Sequence, residues 1–329
     1  MKRAGPVGAV LAFLMAGACG RHQAVQPWSD SSPHSVTFVA VAPGVRLEVL
    51  DWGGTGPNLV FLSGLDDVAH GFDDFAPQFR DHFHVVAITR RGYGVSTQTA
   101  TGYDLATRLQ DLTAALDSLN IGKAILVGHS MAGDELTGFA GAHPDRVVAL
   151  VYFDAAYDHS ILNALIGSFP QQPPASADSA SPKAFQHYQL VTFGMLIPEA
   201  QIRATEVFDT RGRLKSDVTP GTVDSQMLAG AGHPDYSKVH APALAIDAVI
   251  DSAPQLFPRW KKLDDSTRAQ GRRFAAKITA WGAAQRALFK KGVPAARVVE
   301  LHGANHYVFY SNRSDVVREM RDFLSHITP

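Results

Sequence analysis

Along the chain, apolar and polar residues alternate over 35–41 and 45–52. A period of two predicts strands with one covered face and one wet face, as at the antiparallel edge of a sheet. Residues 58–62, 84–88, 124–127, 147–153 and 242–246 are instead continuous apolar runs of strand length. Such runs suit parallel strands buried on both faces. Between them the period changes. Leu105, Leu109, Leu112, Leu116 and Leu119 recur at spacings of three and four and stop at Asn120 and Gly122, which predicts an amphipathic helix. Phe274, Ile278, Trp281 and Leu288 draw a second such stripe, and Val317, Met320 and Leu324 a third, from about residue 314. Buried strands alternating with helices predict an α/β class fold, a doubly wound and mostly parallel sheet. In such a sheet the reactive side chains lie beyond the carboxyl ends of the strands.

The rhythm breaks from about residue 157 to residue 240, where no buried strand is predicted and residues 170–182 are rich in Pro, Ser, Gln and Ala. Phe185, Tyr188, Phe193, Met195, Leu196 and Ile197 follow, enough to give an inserted segment an apolar underside. Packing accounts for most of them without any ligand.

Candidate chemistry sits where one buried strand meets a helix. Gly128-His129-Ser130-Met131-Ala132-Gly133 follows the run 124–127. A serine at the apex of so tight a turn points its hydroxyl above the sheet, and the N–H of Met131, at a helix N-terminus, is free to bind an oxyanion. A serine attacks a carbonyl only when an imidazole takes its proton and a carboxylate orients that imidazole. His306 lies in the loop after the strand predicted at 298–301, and Asp251 lies a few residues past the strand at 242–246. Two other carboxylates compete: Asp154, ending the run 147–153, and Asp247, within its own strand. His302 lies four residues before His306, a spacing that holds metal on a helix. A glycine stands between the two, and no HExxH motif or cysteine partner occurs, so no metal site is expected. His129 is expected to pack under the turn. Gly122-Lys123 lacks the other residues of a phosphate loop, and no dinucleotide fingerprint is present, so no cofactor is expected.

Serine, acid and histidine in that order, each just past a strand, resemble the α/β-hydrolase fold superfamily, in its serine hydrolase, esterase-like branch. The resemblance runs from about Ser35 to the C-terminus, the middle excepted. Residues 58–65 are similar to the strand and loop that supply the second oxyanion N–H, which the resemblance places on Leu65, with Ser63-Gly64 where the family usually has His-Gly. Residues 89–96 resemble the family's Asp-x-Arg-Gly-x-Gly-x-Ser segment, with Thr89 in place of aspartate, and are read as structural, the arginine anchoring loops. The resemblance implies a helical cap inserted after the sixth sheet strand. It also puts Asp251, after the seventh, ahead of Asp154 as the orienting acid. The expected organisation is a signal peptide over 1–18, a flexible leader over 19–34, a core over 35–156 and 241–329, and a cap over 157–240. The activity implied is cleavage of a carboxylic ester by Ser130, His306 and Asp251, with Leu65 and Met131 as oxyanion donors. An amidase, peptidase, thioesterase or C–C hydrolase would use the same residues, and a binding protein on a retired hydrolase scaffold is the reading of another class.

Composition narrows the partners. The 329 residues carry 30 Lys and Arg against 31 Asp and Glu, a net charge of −1 with no basic block, which argues against nucleic acid. A small-molecule acyl substrate is the expected partner. Lys2-Arg3, an apolar run over 7–15 and Ala16-Gly17-Ala18 form an export signal with a cleavage site, too short an apolar run to span a bilayer. Export to the bacterial periplasm or cell envelope is therefore expected. Cys19, the only cysteine, stands directly after that site and resembles the acylated residue of a lipoprotein, though Ala16 replaces the usual leucine. An ordinary signal and a lipid anchor at Cys19 both remain open. A single cysteine excludes an internal disulfide.

Overall fold

A computed structural model describes residues 28–327, apart from 162–164, 166 and 171. The chain divides into two units after Ser31, and the sheet and its helices all belong to the second. The signal peptide, Cys19 and most of the leader lie outside the described residues. No described helix is long and apolar enough to cross a membrane.

Eight strands form one sheet in the order β1-β2-β4-β3-β5-β6-β9-β10. The alternating segments are β1 (Ser35–Ala42) and β2 (Val45–Gly53), which pair antiparallel at one edge. The apolar runs are β3 (Asn58–Leu62), β4 (His84–Ile88), β5 (Ala124–His129), β6 (Val147–Phe153) and β9 (Ala243–Val249). Together with β10 (Arg297–His302) they pair parallel. Both faces are covered. Val60, Leu62, Leu126 and Tyr152 face a core closed by α1 (Leu105–Ser118), α2 (Ala132–Ala142) and Phe289. Leu59, Phe61, Val127 and Phe153 face the opposite core, with Phe72, Phe75 and Met320. Neighbouring residues of one strand thus enter different cores, which is why these runs show no alternation.

Between β6 and β9 come α3 (Pro182–Phe193), α4 (Glu199–Thr205), a two-stranded hairpin of β7 (Glu206–Phe208) and β8 (Leu214–Asp217), and α5 (Gly221–Ala229). The hairpin departs from the all-helical expectation. Its turn is closed by Asp209, which accepts from the Arg211 and Arg213 N–H groups, a local geometry that composition does not reveal. Phe185, Tyr188, Ile197 and Ile202 bury one another with Phe193 and Met195 around them. After β9 a long helix, α6 (Asp265–Gly292), precedes β10, and α7 (Arg313–Ser325) follows it.

Candidate active site

Only Ser130 and Met131 separate β5 from α2, and Ser130 bends the chain with a φ of +52°. A β-carbon makes that left-handed conformation strained, and surrounding structure must hold it in place. Here the Ser130 N–H donates to the Phe153 carbonyl at 3.1 Å, and its own carbonyl accepts from the Gly133 N–H at 2.9 Å. Glycine is required on either side. A β-carbon at Gly128 would stand 2.7 Å from Leu136 Cδ1, and one at Gly133 would stand 1.8 Å from the Ala155 carbonyl oxygen. Ala132, where the family pattern has glycine, fits as a fully buried first residue of α2.

Neither the Met131 N–H nor the Leu65 N–H donates to any described residue. The loop bearing Leu65 is held from beneath. Arg90 donates through Nη1 to the Gly64 carbonyl at 2.8 Å, through Nη2 to the Ser63 carbonyl, and through Nε to Glu135. Arg108 also holds Glu135, at 2.9 Å. Burial alone would raise the Glu135 carboxyl, but the two guanidinium charges keep it below its ordinary value. Thr89 takes over from the family's aspartate by accepting from the Ala69 N–H at 2.9 Å and donating to Glu48 at 2.7 Å. Arg90→Met is expected to lower stability by about 3–5 kcal/mol, because it leaves buried Glu135 short of a partner. Chemical denaturation of the two proteins checks this.

His306 turns its Nδ1 to Asp154 Oδ2 at 2.6 Å, not to Asp251. That is a correction to the position expected of the acid. Ile246 of β9 pairs with Phe153 of β6, so Asp154 is one residue past that level and Asp251 five. Asp154 adopts φ +46°, and its N–H donates to the Ile246 carbonyl at 2.9 Å. Its side chain accepts from the Ala248 N–H at 2.9 Å, from the Tyr157 hydroxyl and from His306. Burial, reinforced by the Asp154 charge, pushes the Tyr157 phenol well above its ordinary value, so it stays a donor. Asp251 instead meets His302 Nδ1 at 2.8 Å, and both side chains are at least half exposed. Asp247 is wholly buried with neither carboxylate oxygen bonded to any described residue. Burial and the nearby Asp154 charge hold its carboxyl well above the usual range, hence neutral.

His129, expected to pack under the turn, is buried against the His306 loop and also contributes to the lining of the Ser130 cavity. Its ring lies 4.6 Å from that of His306 and 4.5 Å from that of Tyr307, and its Nε2 meets the His306 carbonyl at 3.2 Å. Burial lowers its basicity, so it is a neutral prop for the His306 loop.

Ser130, Asp154, His306 and Leu65 line one cavity of about 360 Å³. Its far wall is α6, through Phe274, Ile278, Trp281, Gly282 and Arg286. Of the segment between β6 and β9, Asp154, Tyr157, His159 and Phe169 line it, while the cluster of Phe185, Tyr188, Phe193, Met195, Leu196 and Ile197 does not. The stripe on α6 that reads as a packing face is in large part cavity wall, and Leu288 is exposed. Away from the cavity lining, His34 and His70 bring Nδ1 to the two oxygens of Asp73 at 2.9 and 2.8 Å, donors of a kind that could hold a metal.

Residues 59–319 match the model of the alpha/beta hydrolase family. The chain belongs to that family, and the class of fold and the placement of Ser130 at its elbow agree with it. It is 32% identical over 101 residues to a 2-(acetamidomethylene)succinate hydrolase of Mesorhizobium japonicum, spanning 31% of this chain and 36% of that protein. It is 34% identical over 120 residues to a non-heme chloroperoxidase of Streptomyces lividans, spanning 36% of this chain and 44% of that protein. The chain thus spans less than half the length of either relative. A crystal structure of E-2-(acetamidomethylene)succinate hydrolase superposes with a TM-score of 0.64 at 20% identity, covering 89% of this chain and 99% of that one. That likeness is one of fold.

Proposed function

We propose that the protein is a serine hydrolase that cleaves carboxylic esters through an acyl-enzyme. The reading is carried by one observation: the 2.6 Å contact from His306 Nδ1 to Asp154 leaves His306 Nε2 as the free ring nitrogen in the cavity that Ser130 lines. Ser130 Oγ attacks the acyl carbon while His306 Nε2 takes its proton. Asp154 fixes the ring and stabilises the imidazolium that forms, without taking the proton itself. The N–H groups of Met131 and Leu65 receive the tetrahedral oxyanion. The C–O bond then breaks, the leaving alcohol takes the proton from His306, and water repeats the sequence to release the acid and free Ser130. The cavity wall on α6, apolar over Phe274 and Ile278, supports a substrate with an organic chain rather than a small inorganic ester. A series of 4-nitrophenyl esters of graded acyl length tests the reading. A burst of one 4-nitrophenolate per protein followed by slower turnover is expected. Turnover of none of the series above the buffer rate would overturn it.

A further inference from the structure

Among the titratable groups lining the cavity, one makes no hydrogen bond to any described residue. Asp67 accepts from Gln201 Nε2 at 2.8 Å and from Tyr307, Asp154 is saturated as described, and His159 is held by Asp134 at 2.8 Å. Arg286, by contrast, is only 9% exposed and makes no hydrogen bond to any described residue. Among the described residues its one ion-pair contact is Nε to Glu300 Oε2 at 3.4 Å, and Glu300 leans more closely on Lys290, at 2.9 Å. The buried carboxyl of Asp247 feels the Arg286 charge, but burial and Asp154 push it well above its ordinary value and it makes no hydrogen bond to Arg286. Trp281, five residues earlier on α6, also lines the cavity, and its buried indole Nε1 donates to nothing described. Gly282 completes the patch. A β-carbon there would stand 3.3 Å from Arg286 Nη1, so glycine leaves the guanidinium room along the wall. A guanidinium that lines a cavity and makes no hydrogen bond to a described residue has donors to spare, and a planar carboxylate is the group whose geometry answers it.

The structure assigns to Arg286 and Trp281 the recognition of a carboxylate on the substrate, making the preferred substrate an ester that carries an acid group besides the bond to be cut. This rests on Ser130 acting as the nucleophile. Arg286 sets specificity and takes no part in the bond-breaking steps. An anionic substrate entering the cavity would exchange its water for the guanidinium fork and the indole N–H. A neutral ester would leave both donors empty, which is how a site rejects a compound lacking the group it was built to bind.

The test compares kcat/KM for matched charged and neutral esters on the intact chain. One arm uses mono-4-nitrophenyl esters of malonic to adipic acid against the 4-nitrophenyl alkanoates of equal length. The other uses 4-acetoxybenzoate against phenyl acetate, placing the charge on the leaving group. In at least one arm the charged ester is expected to be preferred. There Arg286→Met should cost roughly 10²-fold on the charged ester and less than about 3-fold on the neutral one. Arg286→Lys should recover part of the loss. Trp281→Phe, which keeps the ring and deletes the N–H, should cost roughly 5–10-fold on the charged ester alone, and it serves as the test should Arg286→Met not fold. No charged preference in either arm, or equal losses on both esters, would overturn the assignment. Ser130→Ala run alongside separates the two claims: if it abolishes turnover of every ester while no charge preference exists, the nucleophile stands and the carboxylate assignment falls.

Discussion

Ser130→Ala is expected to abolish labelling by a fluorophosphonate and to lower ester turnover by at least about 10³-fold, with the thermal unfolding curve essentially unmoved. The hydroxyl is the only atom lost, and the backbone bonds that hold the elbow, to Phe153 and from Gly133, belong to main-chain groups that alanine keeps. Alanine also tolerates φ +52° no worse than serine does. Residual turnover of about a thousandfold over water would persist from the oxyanion donors and substrate binding. A folded Ser130→Ala protein that hydrolyses esters at the original rate would remove the nucleophile from the proposal.

The second large effect distinguishes two aspartates. Asp154→Asn is expected to lower turnover by about 10⁴-fold, because an amide facing His306 Nδ1 can stabilise the wrong tautomer and cannot balance the imidazolium. The Ala248 N–H and the Tyr157 hydroxyl both donate to Oδ1, which asparagine keeps, so the loss is expected in turnover far more than in stability. Asp251→Asn is expected to change turnover less than about 3-fold, since it loosens only an exposed pair with His302, and exposed pairs are worth little. Measuring kcat at saturating ester for both variants, with denaturation curves to separate folding from chemistry, decides between them. The reverse ranking would return the orienting role to Asp251.

Much of this fold is legible in the sequence because two-faced burial leaves a plain mark. Residues 59–62 and 124–127 are apolar at every position since odd and even side chains enter different cores. The elbow is equally plain, because a strand, two residues and a helix with glycines at 128 and 133 leave few conformations. Asp154 and Asp251 could not be ranked that way. Which carboxylate reaches His306 depends on how far β9 runs past the end of β6, a matter of register between strands far apart in the chain. The cavity wall was hidden for another reason. Phe274, Ile278 and Trp281 at helical spacing read as an ordinary core stripe, and periodicity cannot tell a face packed on the sheet from one lining an open space. Arg286 follows Ile278 and Gly282 at spacings of four, and a cation at the border of the stripe was the one available signal that the face is not simply core. In the segment between β6 and β9 the aromatic cluster was legible, but whether it faced substrate or itself was not.

The most direct measurement is the mass and position of a covalent adduct. The intact protein is incubated with a fluorophosphonate, weighed, digested and sequenced by mass spectrometry. A single phosphonyl addition on the peptide containing Gly128-His129-Ser130-Met131, located on Ser130, is the predicted result. The adduct should be lost in Ser130→Ala and should form far more slowly in Asp154→Asn. An unmodified protein after prolonged exposure, or an adduct borne by a different residue, would contradict the assignment of Ser130 as an activated nucleophile.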